Sequence, residues 1–459
     1  MSTPRIVIVG AGPAGIRAAE RLAQAGQRPA LLDEAPRVGG QIYRQPPRGF
    51  LRSGRTLYGS EAGKAQALHA CAARLAEDGT VAYRPGHVVL GIDRARHLIQ
   101  VMVGDGGVRD IPYDRLILAT GASDRVAPVP GWQTAGVYTL GAAQIALKSQ
   151  GVALGRNVVL AGSGPLLTLV AVQLLAAGAG LRAVLDTAPM REQLRGAPWL
   201  AVRPFVTLRG VLMRTRLRGL YHAGAQLDAI EGGPEGVMAL RWRDRAGRRR
   251  TTRCDTVALG WHLRSETHLA DLAGCAFDHD PLWGQWLPRA DAMGRAGPGL
   301  YLAGDALMPR GADAAEVTGR LAASACLHDL GLPAPDPAAD LRRLRRLNRF
   351  AEGLARAFPW PNEQVARLPD TAVLCRCEGI TVGALRETAG RVGPDANRVK
   401  ALSRLGMGRC QGRYCQIAGA EVIAAAAGTS AESAGRLRGQ APIRPVIAGR
   451  YLCKPRTQA

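Results

Sequence analysis

Four of the nine cysteines fall late in the chain in two tight pairs, Cys375-Arg376-Cys377 and, after 32 residues, Cys410-Gln411-Gly412-Arg413-Tyr414-Cys415. Four thiolates brought together are the ligand set of a [2Fe–2S] cluster. Zinc also accepts four thiolates, but its structural sites usually space each pair by two to four residues, and Cys-x-Cys is tighter than that habit. Gly406 and Gly408 precede Cys410 and offer backbone N–H groups that can bend toward cluster sulfurs. The metal-ligand candidates are therefore Cys375, Cys377, Cys410 and Cys415. Cys71, Cys254, Cys275, Cys326 and Cys453 are scattered, and the first four stand in apolar contexts that suit core thiols. Nothing in this spacing resembles a secreted disulfide framework, so a cytoplasmic protein is expected.

A second constellation opens the chain: Gly10-x-Gly12-x-x-Gly15, with Asp33 18 residues beyond Gly15. The first glycine makes a tight turn, the second lets backbone approach a pyrophosphate, and the third lets helix and strand pack closely. Pro13 and Ala14 belong to the turn, and the helix that follows presents its free N–H groups to the phosphates. Asp33 then accepts the ribose hydroxyls, with Glu34 as the alternative acceptor. The motif recurs as Gly162-Ser163-Gly164-Pro165-Leu166-Leu167, ending at Asp186. Here Leu167 replaces the third glycine, which crowds the approach to a phosphate. The second site is expected to be vestigial or to hold an adenine nucleotide in an altered way. Asp186, with no nearby arginine pair, argues against a 2′-phosphate.

The elements needed to position these residues can be read from the pattern. Arg5–Val9 reads as a strand, Ile16–Ala25 as a helix and Ala30–Leu32 as a strand, the order of a βαβ unit. Asn157–Ala161, Leu169–Ala177 and Arg182–Leu185 repeat it. Each unit is followed by a hairpin, with turns near Gly104–Gly107 and Asp244–Gly247. Each hairpin leads to a similar strand, ending Ala119-Thr120-Gly121 in the first unit and Leu259-Gly260 in the second. Gly299–Gly319 is a third strand–turn–helix passage containing Gly304-Asp305. A linker, Pro333–Pro337, precedes an amphipathic helix with Leu341, Leu344, Leu347, Leu354 and Phe358 on one face. That face packs on its own body, seats a partner or lies on a membrane, the first being the plainer expectation. Val382–Ala389 and Val399–Leu405 read as helices between the cysteine pairs.

The chain has 459 residues, 47% of them hydrophobic, and a formal charge of +23. Only Lys64, Lys148, Lys400 and Lys454 are lysines, so the excess is arginine spread over the surface, and no nucleic-acid role is expected. Arg248-Arg249-Arg250 reads as a solvated hairpin face. The uncharged stretch Gly162–Leu181 approaches membrane-spanning length. It opens on a glycine turn and is interrupted by polar residues and glycines, as in a buried nucleotide-domain helix, so no transmembrane segment is expected. No leader pattern precedes the first strand. The eight histidines show no mutual ligand spacing, and His262 is the one placed near a cofactor.

With Gly10, Gly12, Gly15, Asp33, Gly39-Gly40-Gln41, Ala119-Thr120-Gly121 and Gly304-Asp305 in view, the sequence resembles the two-dinucleotide-domain flavoprotein reductases. That resemblance implies FAD on the first unit. Its contacts would be Gly10, Gly12, Pro13, Ala14, Gly15, Asp33, Glu34, Gly40, Gln41, Val88, Ala119, Thr120, Gly121, Gly304 and Asp305. No cysteine precedes Cys71, and none lies between it and Cys254, so the family's thiol–disulfide chemistry is not expected. The cysteine module resembles the bacterioferritin-associated-ferredoxin-like [2Fe–2S] domain. Over nearly the whole chain, Cys375–Glu378 and Gly406–Cys415 above all, the sequence resembles the α (A) subunits of heteromeric amino- and imino-acid dehydrogenases. These include the D-hydroxyproline dehydrogenase, opine oxidase and hydrogen cyanide synthase types.

The implied architecture is α/β. A discontinuous FAD domain takes 1–121 and 275–330, and a degenerate second dinucleotide domain takes 122–274. A helical linker spans 331–370, a small helical [2Fe–2S] domain 371–430 and a tail 431–459. The implied role is electron transfer beside a glycine-oxidase-like flavoprotein β subunit that oxidises a C–N bond, and the presence of a further small subunit is left open. The acceptor and the catalytic residues are left open too, and association with the inner face of the membrane is compatible with the reading. The competing readings are a stand-alone NAD(P)H-dependent reductase of a ferredoxin-like or quinone acceptor, and a redox-sensing or iron-donating module.

Overall fold

The computed structural model describes residues 5–47, 49–50, 52–104 and 106–446. Cys453, the tail from 447 onward and Asp105 in the first hairpin turn lie outside the described residues.

Short β-branched and leucine-rich runs alternate with helices, and the chain builds two central sheets from them. The first has six strands in the order Arg295–Gly297, Leu300–Leu302, Arg115–Leu118, Ile6–Val9, Ala30–Asp33 and Ala82–Pro85. All its neighbours run parallel except the first pair. The second has five parallel strands: Tyr221–Ala223, Leu181–Asp186, Val158–Ser163, Thr256–Trp261 and Val137–Thr139. In both, the strand before the glycine turn lies inside the sheet and is buried along its length. This explains its unbroken apolar character, since parallel strands covered on both faces have no polar side.

The helices after the glycine turns begin earlier than their hydrophobic pattern suggests, at Pro13 and Pro165. Proline at the first helical position needs no N–H partner and is already set to the helical φ, so each helix starts directly behind its glycine. The segments read as hairpins are three-stranded antiparallel sheets, Val88–Asp93 with Leu98–Met102 and Val108–Pro112, and Gln226–Gly233 with Gly236–Arg243 and Arg249–Arg253. Arg248 and Arg250 meet Asp244 on the exposed face of the second.

The amphipathic helix spans Ala338–Ala357, and its apolar face is covered by the protein itself. Leu344 and Leu347 pack against Ala314, Val317 and Leu321 of the helix Ala312–Asp329. Farther along, Ala351 and Ala355 meet Trp283 and Leu287, and Ala357 and Phe358 meet Ala188. That face is therefore no seat for a partner or a membrane. The cysteine region folds as Val382–Val392, Ala396–Ser403 and Gln416–Ala426. Its core is continuous with one face of the second sheet, where Leu374, Leu385, Val399 and Val422 join Val159, Leu185 and Trp261. Among the described residues no helix is long and apolar enough to cross a membrane. The Gly162–Leu181 stretch is a strand end, the helix Pro165–Ala176 and the start of the next strand.

Candidate cofactor sites

At the first glycine turn the backbone is as close as carbon atoms allow. A Cβ on Gly10, whose φ is +107°, would stand 2.3 Å from the Ala119 carbonyl oxygen, and one on Gly15 would stand 1.8 Å from the Gly10 oxygen. Gly12 differs, because a Cβ there would meet only the Gly40 Cα at 3.7 Å. Gly12 caps the helix without a side-chain partner, so the first N–H groups, near Ala14 and Gly15, stay directed at the mouth. Gly304 closes in from the far end of the chain: a Cβ on it would touch the Ala14 Cβ at 2.9 Å. The Gly304 N–H donates to Thr318 Oγ1 at 2.8 Å. Asp305 then accepts the Arg310 N–H at 2.9 Å and the Gly311 N–H at 3.1 Å.

Asp33 ends its strand and accepts the N–H groups of Ala11 and Ala35. Burial pushes its carboxyl above the usual range, and those two donors oppose the shift. Val88 follows His87, whose N–H reaches the Asp33 carbonyl at 2.9 Å. Glu34 turns away to pair with Arg444 at 3.0 Å, and Gln41 accepts from Arg44 at 3.0 Å. Thr120 and Gly121 are held by the backbone of Glu266: Thr120 Oγ1 donates to its carbonyl at 2.8 Å, and its N–H donates to the Gly121 oxygen at 3.0 Å. Residues nearly three hundred positions apart thus meet around one turn. Lys148 joins this neighbourhood from the second unit, donating to the Ile42 carbonyl at 3.0 Å. Burial pulls its ammonium down to about 8. Its neighbours in sequence, apolar on one side and Ser149-Gln150 on the other, did not mark it as buried.

The second turn is closed by the chain's own side chains. The His262 ring lies where a Cβ on Gly164 would find its carbons at 3.3 Å, and Phe358 packs edge-on against that ring at 5.9 Å. The acid at the strand end is occupied too. Asp186 is fully buried and accepts from Ser163 Oγ at 2.8 Å, Tyr221 Oη at 2.5 Å and the Ala188 N–H at 2.9 Å. Leu167, in the place of the third glycine, is part of the apolar core with Leu140 and Leu160. His262, placed near a cofactor from the sequence, stands beside the second glycine turn and fills the space before it. Burial, with Arg125 adding to it, holds its imidazole down to about 4.

The four late cysteines converge in two pairs. The Cys375 and Cys415 thiols share a hydrogen bond, and backbone N–H groups of Cys377, Glu378 and Gly406 also point at the Cys375 sulfur. That set pulls the Cys375 thiol down to about 6, with Cys415 as the donor of the pair. Cys377 and Cys410 form the second pair. Gly408 lies hard against Cys377, where a Cβ would stand 2.2 Å from the Cys377 Cβ. Among the described residues no three His, Cys, Asp or Glu side chains surround one point closely enough for a single metal ion. Cys71, Cys254, Cys275 and Cys326 are buried singly.

A network that the sequence did not announce ties the cysteine loop to the first site. The Glu266 carboxylate accepts Arg413 Nε at 2.7 Å and pairs with His268 Nδ1 at 2.6 Å. Arg413 Nη1 donates to the carbonyls of Cys410 and Ile443, each at 3.0 Å, and His268 Nε2 meets the Gln411 carbonyl at 2.8 Å. Arg264, fully buried, donates to the Arg413 carbonyl at 3.2 Å. Burial alone would raise Glu266, but His268 and the neighbouring arginines bring it down to about 2.

Comparison with known proteins agrees with this arrangement of turns and sheets. Residues 4–319 match the family described as pyridine nucleotide-disulphide oxidoreductase. The chain belongs to that family. The opine oxidase A subunit of Rhizobium meliloti is 38% identical, over 98% of this chain and 88% of the relative. Hydrogen cyanide synthase subunit HcnB of Pseudomonas aeruginosa is 32% identical over 96% of this chain and 97% of its own. The crystal structure of L-proline dehydrogenase from P. horikoshii superposes with a TM-score of 0.70 at 21% identity, covering 97% of this chain and 79% of that one, and shows the shared fold. This pyridine nucleotide-disulphide oxidoreductase homologue is a flavin-dependent oxidoreductase, and its family implies FAD. It carries the family's nucleotide turns without a cysteine pair beside them in the sequence.

Proposed function

We propose that this chain is the FAD- and [2Fe–2S]-containing electron-transfer subunit of a heteromeric dehydrogenase that oxidises a C–N bond of an amino or imino acid. The observation that carries the reading is the contrast between the two glycine turns. The first keeps bare backbone at Gly12 and free N–H groups at its helix start, while His262, Phe358 and an already satisfied Asp186 fill the second. A flavin without a nicotinamide seat beside it must draw electrons from another source. The opine oxidase and hydrogen cyanide synthase relatives are themselves named as subunits, which supports a glycine-oxidase-like flavoprotein partner.

The residues present fit FAD. Gly10, Gly12, Pro13, Ala14 and Gly15 would carry the pyrophosphate, with Asp33 on the adenosine ribose and Val88 beside it. Gly40, Gln41, Ala119, Thr120 and Gly121 would line the nucleotide, and Asp305 behind Gly304 would face the ribityl chain. Glu34, paired with Arg444, is the weakest of the candidates. The FAD unit would comprise 1–121 with 275–330, and 122–274 the closed second unit.

The thiols fit a binuclear cluster better than zinc. Each iron of a [2Fe–2S] cluster takes two protein thiolates, so its cage never gathers three side chains around one point. Two hydrogen-bonded pairs match that division, whereas zinc would draw all four to one centre. The N–H groups aimed at Cys375 suit thiolate sulfur. When bound, FAD takes up electrons in pairs and the cluster passes them singly. The chain's own part would be to hold Cys375 as thiolate and keep Arg264 and Arg413 as buried cations behind the cysteine loop.

Metal analysis of anaerobically purified full-length protein should return about two iron and two sulfide per chain. Cys377→Ser should abolish them while the FAD remains, because Cys377 is exposed and outside the shared core. Zinc without iron would refute the cluster. Coexpression with a glycine-oxidase-like flavoprotein should yield a complex that dehydrogenates D-hydroxyproline, an opine or glycine, and vigorous turnover by this chain alone would overturn the assignment.

A further inference from the structure

The helix Pro204–Thr215 is turned inside out for an element facing water. Its inner side is fastened to the body by arginines. Arg209 donates to Ser60 Oγ at 2.6 Å and Glu61 at 2.7 Å, Arg203 pairs with Asp313, and Arg214 bonds Gln193 and lies 4.9 Å over the Tyr221 ring. The outer side presents Phe205, Leu208, Val211 and Leu212, with Phe205 85% and Leu212 55% exposed. No residue of the helix is buried. Surface helices ordinarily place their apolar stripe on the core and their charges in water. Met190 and Leu194, on the short helix Met190–Arg195 that Arg214 ties down, are exposed as well. An apolar patch of this extent marks a surface that another body covers.

We propose that the outward face of Pro204–Thr215 docks a different protein subunit, whose own apolar patch is bordered by acidic side chains. The charge around the patch selects that occupant. Between Glu192 and Asp228 the chain carries six arginines and no acidic residue; Arg216 and Arg218 remain exposed at the border, and Arg195, also exposed, pairs with Glu192 at 2.7 Å. A second copy of this chain would set arginine border against arginine border across a two-fold axis, which like charges oppose. An anionic lipid surface would draw on the arginines beside the apolar stripe, whereas Arg203, Arg209 and Arg214 are tied to Asp313, Glu61 and Gln193 and only the border arginines face outward.

The position suits an electron donor. Glu61 also accepts from Tyr43 Oη at 3.4 Å, and Tyr43 closes the Gly39–Tyr43 turn beside the first glycine motif. Asp313 begins the helix that follows Gly304-Asp305. A protein seated here rests on the two segments that flank the first site. The inference rests on the heteromer reading above and adds the surface on which it assembles.

The test uses the full chain coexpressed with the glycine-oxidase-like flavoprotein. Wild type is expected to form a complex by size exclusion with light scattering, and residues 204–215 should gain amide protection in it. Leu208→Asp with Leu212→Asp should weaken the complex about a hundredfold or more, with flavin content and melting temperature retained. Arg216→Glu with Arg218→Glu should weaken it less, and salt should then matter less. A wild-type complex left intact by both variants overturns this surface while the heteromer reading stands. If no wild-type complex forms, the heteromer reading itself fails and the surface falls with it. A self-dimer abolished by the leucine changes, or binding to phosphatidylglycerol vesicles that the same changes remove, would replace the proposed partner with a second copy or a membrane.

Discussion

A single methyl group would act differently at each of the three glycines of the first turn. At Gly15 it would stand 1.8 Å from the Gly10 carbonyl, so Gly15→Ala should destabilise the fold by several kcal/mol or prevent folding. At Gly12 a Cβ would meet only the Gly40 Cα at 3.7 Å, and on the proposed function the methyl group would crowd the pyrophosphate. Gly12→Ala is therefore expected to keep its melting temperature within a few degrees and lose FAD at least tenfold more readily. Absorbance at the flavin band after gel filtration checks this, and full flavin retention would remove Gly12 from the site. His262 offers a second residue-level test. Its buried imidazole is held down to about 4, against about 6.5 in an unfolded chain. The unfolded state thus binds a proton that the native state refuses. Stability is complete above the unfolded value and falls as pH drops from about 6.5 toward 4, by roughly 2.5 kcal/mol at pH 4.5. His262→Asn, which tolerates the left-handed backbone at φ +59°, should flatten that part of the pH profile in urea unfolding.

Between elements, the Glu266–Arg413 pair has the greatest reach. Glu266 holds Thr120 and Gly121 by its backbone and the cysteine loop by its carboxylate. Removing one partner of a buried pair leaves an uncompensated charge, so Glu266→Ala should cost about 3–5 kcal/mol. Adding Arg413→Met should restore part of that loss, because the second charge is then gone. Chemical denaturation of the four proteins of the cycle measures the coupling, and additive effects would show that the pair bears no strain between the elements. The helix Ala338–Ala357 behaves as a clamp. Its leucines cover the helix behind Gly304-Asp305, and Phe358 at its end packs on His262, so one element braces the first site and shuts the second.

At the scale of the whole molecule, the proposed function makes this chain a relay, with an open first mouth and a second one closed to a nicotinamide. The flavin of the isolated protein is expected to be reduced by dithionite and left oxidised by stoichiometric NADH or NADPH over the mixing time of a stopped-flow experiment. Rapid bleaching by either nucleotide would show that the second turn opens. The shared core between the cysteine helices and the second sheet makes a further point. Cluster loss through Cys377→Ser should leave a cooperative single unfolding transition, because the helices are anchored by Leu374, Leu385 and Val422 and need no metal for their core.

Much of this protein was determined locally and so could be read along the chain. A glycine turn needs glycines at set spacing, a parallel strand buried on both faces needs an unbroken apolar run, and a thiolate ligand needs a cysteine. The two βαβ units, the acids Asp33 and Asp186, and the cysteine pairs are of this kind. Contacts between distant segments left no local pattern. Nothing in Phe358 or His262 announces that they meet over Gly164, and nothing in Glu266 or Arg413 announces a pair buried 147 residues apart. The same holds for the direction of an amphipathic face. Ala338–Ala357 and Pro204–Thr215 both mix leucine with arginine, yet the first buries its leucines while the second turns them outward and ties its arginines to the body. Composition sets which residues a helix has to offer. Which side meets the body is decided by where Asp313 and Glu61 wait to pair and where Val317 and Leu321 leave apolar surface to cover, and only the tertiary fold brings those together.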